Sequence, residues 1–243
     1  MNNWSNEGIL LAKQNIAESI VITVLTKNLG IQKGFLANKK TSIKPPALIK
    51  VNNKTSRSGY NYFSCEYLHF NMFSILANET KNLVFQCLIQ TILSSIYIAE
   101  EVNDLYPICI NFIELLSKGE NWYSYFIFLE LTILEIAGFR LDLSKCAISK
   151  SNSNLKYISP KTGRAISQDV GSEYHSKLLL IPPVLPIIYY TDNHYIISVK
   201  EFIDCFSITN FFLEKHIFYP KKYNCFFRNF FIKKFRQCKK ESS

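Results

Sequence analysis

Ser19-Ile20-Val21-Ile22-Thr23-Val24-Leu25-Thr26-Lys27-Asn28-Leu29-Gly30-Ile31-Gln32-Lys33-Gly34-Phe35-Leu36-Ala37 is the stretch that decides the fold of the N-terminal part. Residues 20–24 are all β-branched, which suits a pleated, half-buried strand. Thr26 to Gly30 supplies turn chemistry. Beyond the turn Ile31, Lys33 and Phe35 alternate with Gln32, Gly34 and Leu36, the period of a strand. The whole is a β-hairpin. Outward from it, Glu7–Lys13, Ala47–Asn52 and Tyr60–Leu68 read as three further strands. Five short strands in the first 70 residues predict a small closed barrel, because closure removes exposed sheet edges.

Near residue 70 the period becomes helical. In Asn121–Ala137, residues Trp122, Tyr125, Phe126, Leu129, Ile133, Ile136 and Ala137 share a broad face. Gly138 follows as a left-handed stop, with Phe139 as the apolar residue after it. Residues 82–99 are apolar nearly all round and predict a buried central helix. Leu105–Ser117 is a shorter partner. Ser198 and Glu201 have capping-box spacing and open a helix carrying Val199, Phe202, Ile203 and Phe206. Pro220 interrupts, and Tyr223–Arg236 predicts a final basic amphipathic helix. Residues 150–172 read as irregular. The expected fold class is α+β: a five-stranded barrel over 1–70, then a mostly helical domain over 71–243 with an irregular segment at about 146–172.

The 243-residue chain carries a net charge of +9, which favours polyanionic partners: nucleic acid or an anionic membrane. The two most apolar stretches, 83–98 and 178–190, do not read as spans. The first is short and holds Gln86 and Gln90; the second holds Pro182, Pro183 and Pro186. The start, Met1 to Gly8, lacks the pattern of a secretory signal. Seven cysteines at 65, 87, 109, 146, 205, 225 and 238 include no C-x-x-C pair. They read as reduced thiols of a cytoplasmic protein rather than a disulfide framework or a zinc site.

Two cationic clusters stand out. Lys39, Lys40, Lys44, Lys50, Lys54 and Arg57 crowd the barrel region with no acidic residue between Lys39 and Arg57; Lys27 and Lys33 lie on the hairpin before them. Phe35, Tyr60, Tyr62, Phe63 and Tyr67 are close by. Lysines for phosphates and aromatic faces for bases are the two parts of a sequence-tolerant single-strand site, although each aromatic also fits a barrel core. The second cluster is Lys221, Lys222, Arg228, Lys233, Lys234 and Arg236, continued by Lys239 and Lys240 and interleaved with Phe226, Phe227, Phe230, Phe231 and Phe235. It fits a second nucleic-acid grip, a seat for an acidic protein tail, a membrane-surface helix, or a terminal helix packed by its phenylalanines. No catalytic constellation is visible. His69, His175, His194 and His216 are scattered, and there is neither a phosphate loop nor a G-x-S-x-G turn. The expectation is a non-catalytic binding protein without cofactor or metal.

Trp4-Ser5-Asn6-Glu7-Gly8-Ile9-Leu10-Leu11, then Glu18-Ser19-Ile20-Val21 and Leu25-Thr26-Lys27-Asn28-Leu29-Gly30, resembles the opening of bacterial RecO proteins. Glu130-Leu131-Thr132-Ile133-Leu134-Glu135-Ile136-Ala137-Gly138-Phe139-Arg140-Leu141-Asp142-Leu143-Ser144-Lys145-Cys146 is similar to that family's central signature. Tyr157 to Ser167 resembles its alphaproteobacterial form, and Phe212 to His216 its last helix. The resemblance implies an OB barrel joined to a helical domain. It implies a recombinational-repair mediator that binds single- and double-stranded DNA, anneals complementary strands, and works with RecR. It further implies engagement of the acidic tail of single-strand-binding protein so that RecA can load. Some members hold zinc with four cysteines. Here Cys146 matches the first, but Ser149 stands at the C-x-x-C partner position and 159–172 supplies no later pair, so no zinc is expected. An OB barrel alone equally suits RNA, which leaves an RNA-binding or ribosome-associated protein as the alternative.

Overall fold

The computed structural model describes residues 3–38, 43–68, 72–97, 102, 104–191, 193–223 and 225–241, with 235–241 as backbone. Five strands open the chain: β1 (Trp4–Ile16), β2 (Ser19–Thr26), β3 (Gly30–Leu36), β4 (Ala47–Thr55) and β5 (Asn61–Tyr67). They close into a barrel in the order β1-β2-β3-β5-β4, with β4 returning to β1. All pairs are antiparallel except β3 with β5, where Phe35 faces Tyr62 and Leu36 faces Phe63. The expected five-stranded barrel is therefore present, with β1 and β4 longer than the sequence pattern suggested.

Alternation sorts the side chains. Leu10, Ile22, Val24, Leu36, Ala47, Ile49, Val51 and Phe63 fill the interior together with Ile43. Closure depends on close approach between β3 and β5: a Cβ at Gly34 would lie 2.8 Å from the Asn61 carbonyl and 2.9 Å from the Phe63 ring.

Helices follow: α1 (Phe73–Leu76), α2 (Glu79–Ser95), α3 (Leu105–Lys118) and α4 (Tyr123–Ile136). The chain divides into two compact units, one of Met1–Ile89 with Ile96–Lys118, the other of Gln90–Ser95 with Gly119–Ser243. α2 is buried along most of its length, as its apolar sequence requires. α4 departs from the single broad face expected. Ser124, Ile127, Glu130, Leu131 and Leu134 are buried as well as Tyr125, Phe126, Leu129 and Ile133, so α4 is itself a central helix. It ends as predicted: Gly138 has φ +83°, and the Phe139 N–H reaches back to the Leu134 carbonyl at 2.8 Å.

The segment read as irregular is in fact ordered. β6 (Leu155–Ile158) pairs with β7 (Ala165–Ser167); α5 (Gln168–Gly171) and a 3₁₀ turn (Ser172–Lys177) lead to β8 (Leu179–Leu180) on the other side of β6. Strands of four, three and two residues are too short to show a period in the sequence. α6 (Val184–Tyr190) and α7 (Val199–Leu213) follow. Ser198 caps α7 with the anticipated reciprocal box: its Oγ accepts from the Glu201 N–H, and its own N–H donates to Glu201 Oε2 at 2.8 Å. One π-turn (Glu214–Phe218) prolongs α7, and α8 (Phe226–Glu241) ends the described chain. Phe126, Phe202, Phe206 and Phe231 pack ring to ring at 5.0–6.2 Å and join α4, α7 and α8 in an aromatic core.

Candidate nucleic-acid interface

The barrel strands place their side chains alternately inside and out, and the outer rows of β3, β5 and β4 lie side by side. Lys33 and Phe35 stand outward on β3, Tyr62 and Ser64 on β5, Asn52 and Lys54 on β4. Register then assembles a stripe across three strands: Phe35 faces Tyr62, which faces Lys54. The Phe35 and Tyr62 rings are 5.6 Å apart and inclined by 31°; Tyr60 meets Phe35 edge-on at 5.8 Å. Tyr60 and Tyr62 are exposed at 57% and 41%, which leaves ring surface available to a planar ligand.

The β4–β5 turn completes this edge. Ser56 N–H donates to the Tyr60 carbonyl at 2.8 Å, Gly59 N–H donates to the Ser56 carbonyl, and Gly59 sits at φ +83°. The tight turn projects Arg57 and Tyr60 into solvent. Beside the stripe runs an open groove of about 520 Å³ lined by Trp4, Asn52, Asn53, Lys54, Tyr62 and Ser64. Trp4 is half-buried and leans on Phe63 at 5.6 Å between centroids. Trp4 was not among the candidate site residues, because only the β1–β4 register (Trp4 opposite Asn53) brings it to the groove.

The other sequence candidates are dispersed. Lys50 is exposed, but it lies opposite Glu7 on one side and Glu66 on the other. Lys27 forms an ion pair with Glu7 at 3.5 Å. Lys44 is exposed, and its N–H donates to the Tyr67 hydroxyl at 3.1 Å. Lys39 and Lys40 lie outside the described residues. Phe63 is corrected from stacking candidate to core residue, with no exposure.

The second cluster needs a larger correction. Arg228 is 1% exposed and belongs to no surface. Its Nη1 meets Glu130 Oε1 at 2.5 Å, its Nη2 meets Oε2 at 3.3 Å, and its Nε donates to Asn210 Oδ1 at 2.6 Å. Thr209 Oγ1 donates to the same Glu130, and the guanidinium lies 4.6 Å from the Phe206 ring centre. A buried charge demands such a set of partners. Lys221 donates to the Ser94 carbonyl at 2.6 Å. Lys222 and Lys233 are exposed and Lys234 is half-buried; the Arg236 side chain lies outside the described residues.

The closed five-stranded barrel followed by a helical region defines a class: OB-type barrel proteins carrying a helical second part. The comparisons narrow it. Residues 80–223 match the family described as "Recombination protein O C terminal". A DNA repair protein RecO from Rickettsia canadensis (strain McKiel) is 32% identical over 229 residues, covering 91% of this chain and 92% of the relative. DNA repair protein RecO from Anaplasma phagocytophilum (strain HZ) is 33% identical over 88% of the chain, and that of Wolbachia pipientis wMel 30% over 88%. The chain belongs to the RecO family.

Zinc, which some members hold, does not fit the residues around Cys146. That sulfur is fully buried beside Tyr157 and Ile166 and accepts from the Ser149 N–H at 3.4 Å and the Ser167 hydroxyl at 3.6 Å. One thiol and neighbouring hydroxyls are not a zinc ligand set. No cluster of three or more candidate metal ligands occurs among the described residues, and no described helix is long and apolar enough to cross a membrane.

Proposed function

We propose that this chain is a non-catalytic mediator of recombinational DNA repair in the cytoplasm, associated with the nucleoid. It binds single- and double-stranded DNA and anneals complementary strands. With RecR, and through the acidic tail of single-strand-binding protein, it helps RecA load on coated DNA. The observation that carries this reading is the stripe Phe35–Tyr62–Lys54, flanked by Lys33, Arg57 and the Trp4 groove. Cations there displace condensed counterions from phosphates, and aromatic faces hold bases without reading sequence. Annealing needs no bond chemistry. It needs phosphate repulsion lowered while base edges stay able to pair.

The test is strand annealing on complementary DNA already coated with its own single-strand-binding protein. Pairing faster than the uncatalysed reaction is expected, together with loss of the gain when Lys33, Lys54 and Arg57 are all replaced by Ala. Annealing confined to uncoated strands would reduce the protein to a generic cation. Matched RNA oligomers competing better than DNA would instead favour an RNA-binding role for the barrel.

A further inference from the structure

α8 carries a second aromatic–cationic face. Residues 221–240 contain no acidic side chain. The helix is fixed by what it buries: Arg228 enters the Glu130 network and Phe231 the aromatic core, and both are almost fully covered. With these two inward, 3.6 residues per turn force Phe226, Asn229, Phe230 and Lys233 to the opposite side. Phe226 is 61% exposed and Phe230 50%. They stand one turn apart, about 6 Å along the axis, with Lys233 beyond Phe230 and the exposed Lys222 before Phe226. Two phenylalanines exposed side by side on one helix face, rimmed by cations, form an apolar patch open to a ligand. The family match ends at residue 223, before α8 begins, so this face is read from its own residues.

We infer that the outward face of α8, Phe226 and Phe230 with Lys233, is a second binding site for single-stranded nucleic acid, each ring stacking on one base. It rests on the single-strand-binding reading of the barrel and adds the site that annealing requires for a second strand. Charge selects this occupant. The acid-free cationic run 221–240 suits a polyphosphate, and two aromatic rings at one-turn spacing suit consecutive unpaired bases.

The test uses the full chain carrying Lys33→Ala, Lys54→Ala and Arg57→Ala, titrated by anisotropy with a short oligothymidylate and with an abasic strand of equal phosphate count. Binding of oligothymidylate is expected to persist in this background. Adding Phe226→Leu and Phe230→Leu should weaken it at least about tenfold, with the abasic strand little changed. Phe226→Tyr with Phe230→Tyr should restore it. Leucine keeps the surface apolar, so a Leu pair that binds oligothymidylate like its parent would overturn the stacking role. So would a Leu pair that loses affinity only for vesicles of anionic phospholipid, which would make the face a membrane contact. If the three barrel substitutions remove all binding, α8 is not a site and the barrel reading stands. If they change nothing while the Leu pair removes binding, α8 is a site and the barrel reading falls.

Discussion

Arg228 and Glu130 show how one residue's partner overrides its neighbours in sequence. Arg228 sits among Lys and Phe residues that suggest a cationic surface, yet it is paired 98 positions away inside the core. Removing one partner of such a pair leaves the other charge buried and uncompensated, a change that costs about 3–5 kcal/mol. Glu130→Leu and Arg228→Met are each expected to destabilise by that order in urea denaturation. The combined Glu130→Leu, Arg228→Met protein should lose much less than the sum of its single changes. Near-additive losses would mean that the two side chains are not energetically coupled. The same logic of close contact applies at Gly34. A methyl group there meets the Asn61 carbonyl and the Phe63 ring at under 3 Å. Gly34→Ala is therefore expected to loosen the β3–β5 seam, seen as faster amide exchange in β5 than in α4; uniform protection would show that the seam yields without cost.

At the scale of elements, the helix caps give a pH-dependent handle. Backbone and hydroxyl hydrogen bonds from Ser198 hold the Glu201 carboxyl below its ordinary value of 4.5. A depressed carboxylate contributes stability that is complete above that ordinary value and is lost as pH falls through the lowered one. Ser198→Ala should therefore cost about 1 kcal/mol at neutral pH and progressively less in acid, measured by denaturation midpoints across the range. An equal loss at every pH would place the effect on the bond that the Ser198 hydroxyl accepts from the Glu201 N–H, not on its contact with the carboxylate. Which elements were legible follows from their length and period. The hairpin of β2 and β3, the α7 cap and the Gly138 stop were visible because local chemistry specifies them. β6, β7 and β8 were not, being shorter than one readable period. The all-round burial of α4 was masked by Glu130, a charge that only its distant partner renders compatible with a core. Trp4 in the groove and Phe63 in the barrel interior were decided by register, which depends on which strands pair rather than on neighbours in sequence.

For the whole molecule, the net charge of +9 says that polyanions are attracted but not where. Position decides which cations meet phosphate. Lys50 faces Glu7 and Glu66 across its two strand partners, and Lys27 is paired with Glu7, so their fields are largely cancelled close by. Lys33, Lys54 and Arg57 lie instead along the stripe that carries Phe35, Tyr62 and Tyr60. Each phosphate contact to a single strand contributes roughly 0.7 to the slope of log affinity against log salt. Replacing Lys33, Lys54 and Arg57 together by Ala should flatten that slope by about 2, whereas replacing Lys27 and Lys50 together should leave it nearly unchanged although the net charge falls almost as far. Equal flattening by the two sets would show that the protein attracts DNA through its total charge. Flattening confined to the first set requires a defined track of cations on the outer face of β3 and β4 and on the β4–β5 turn.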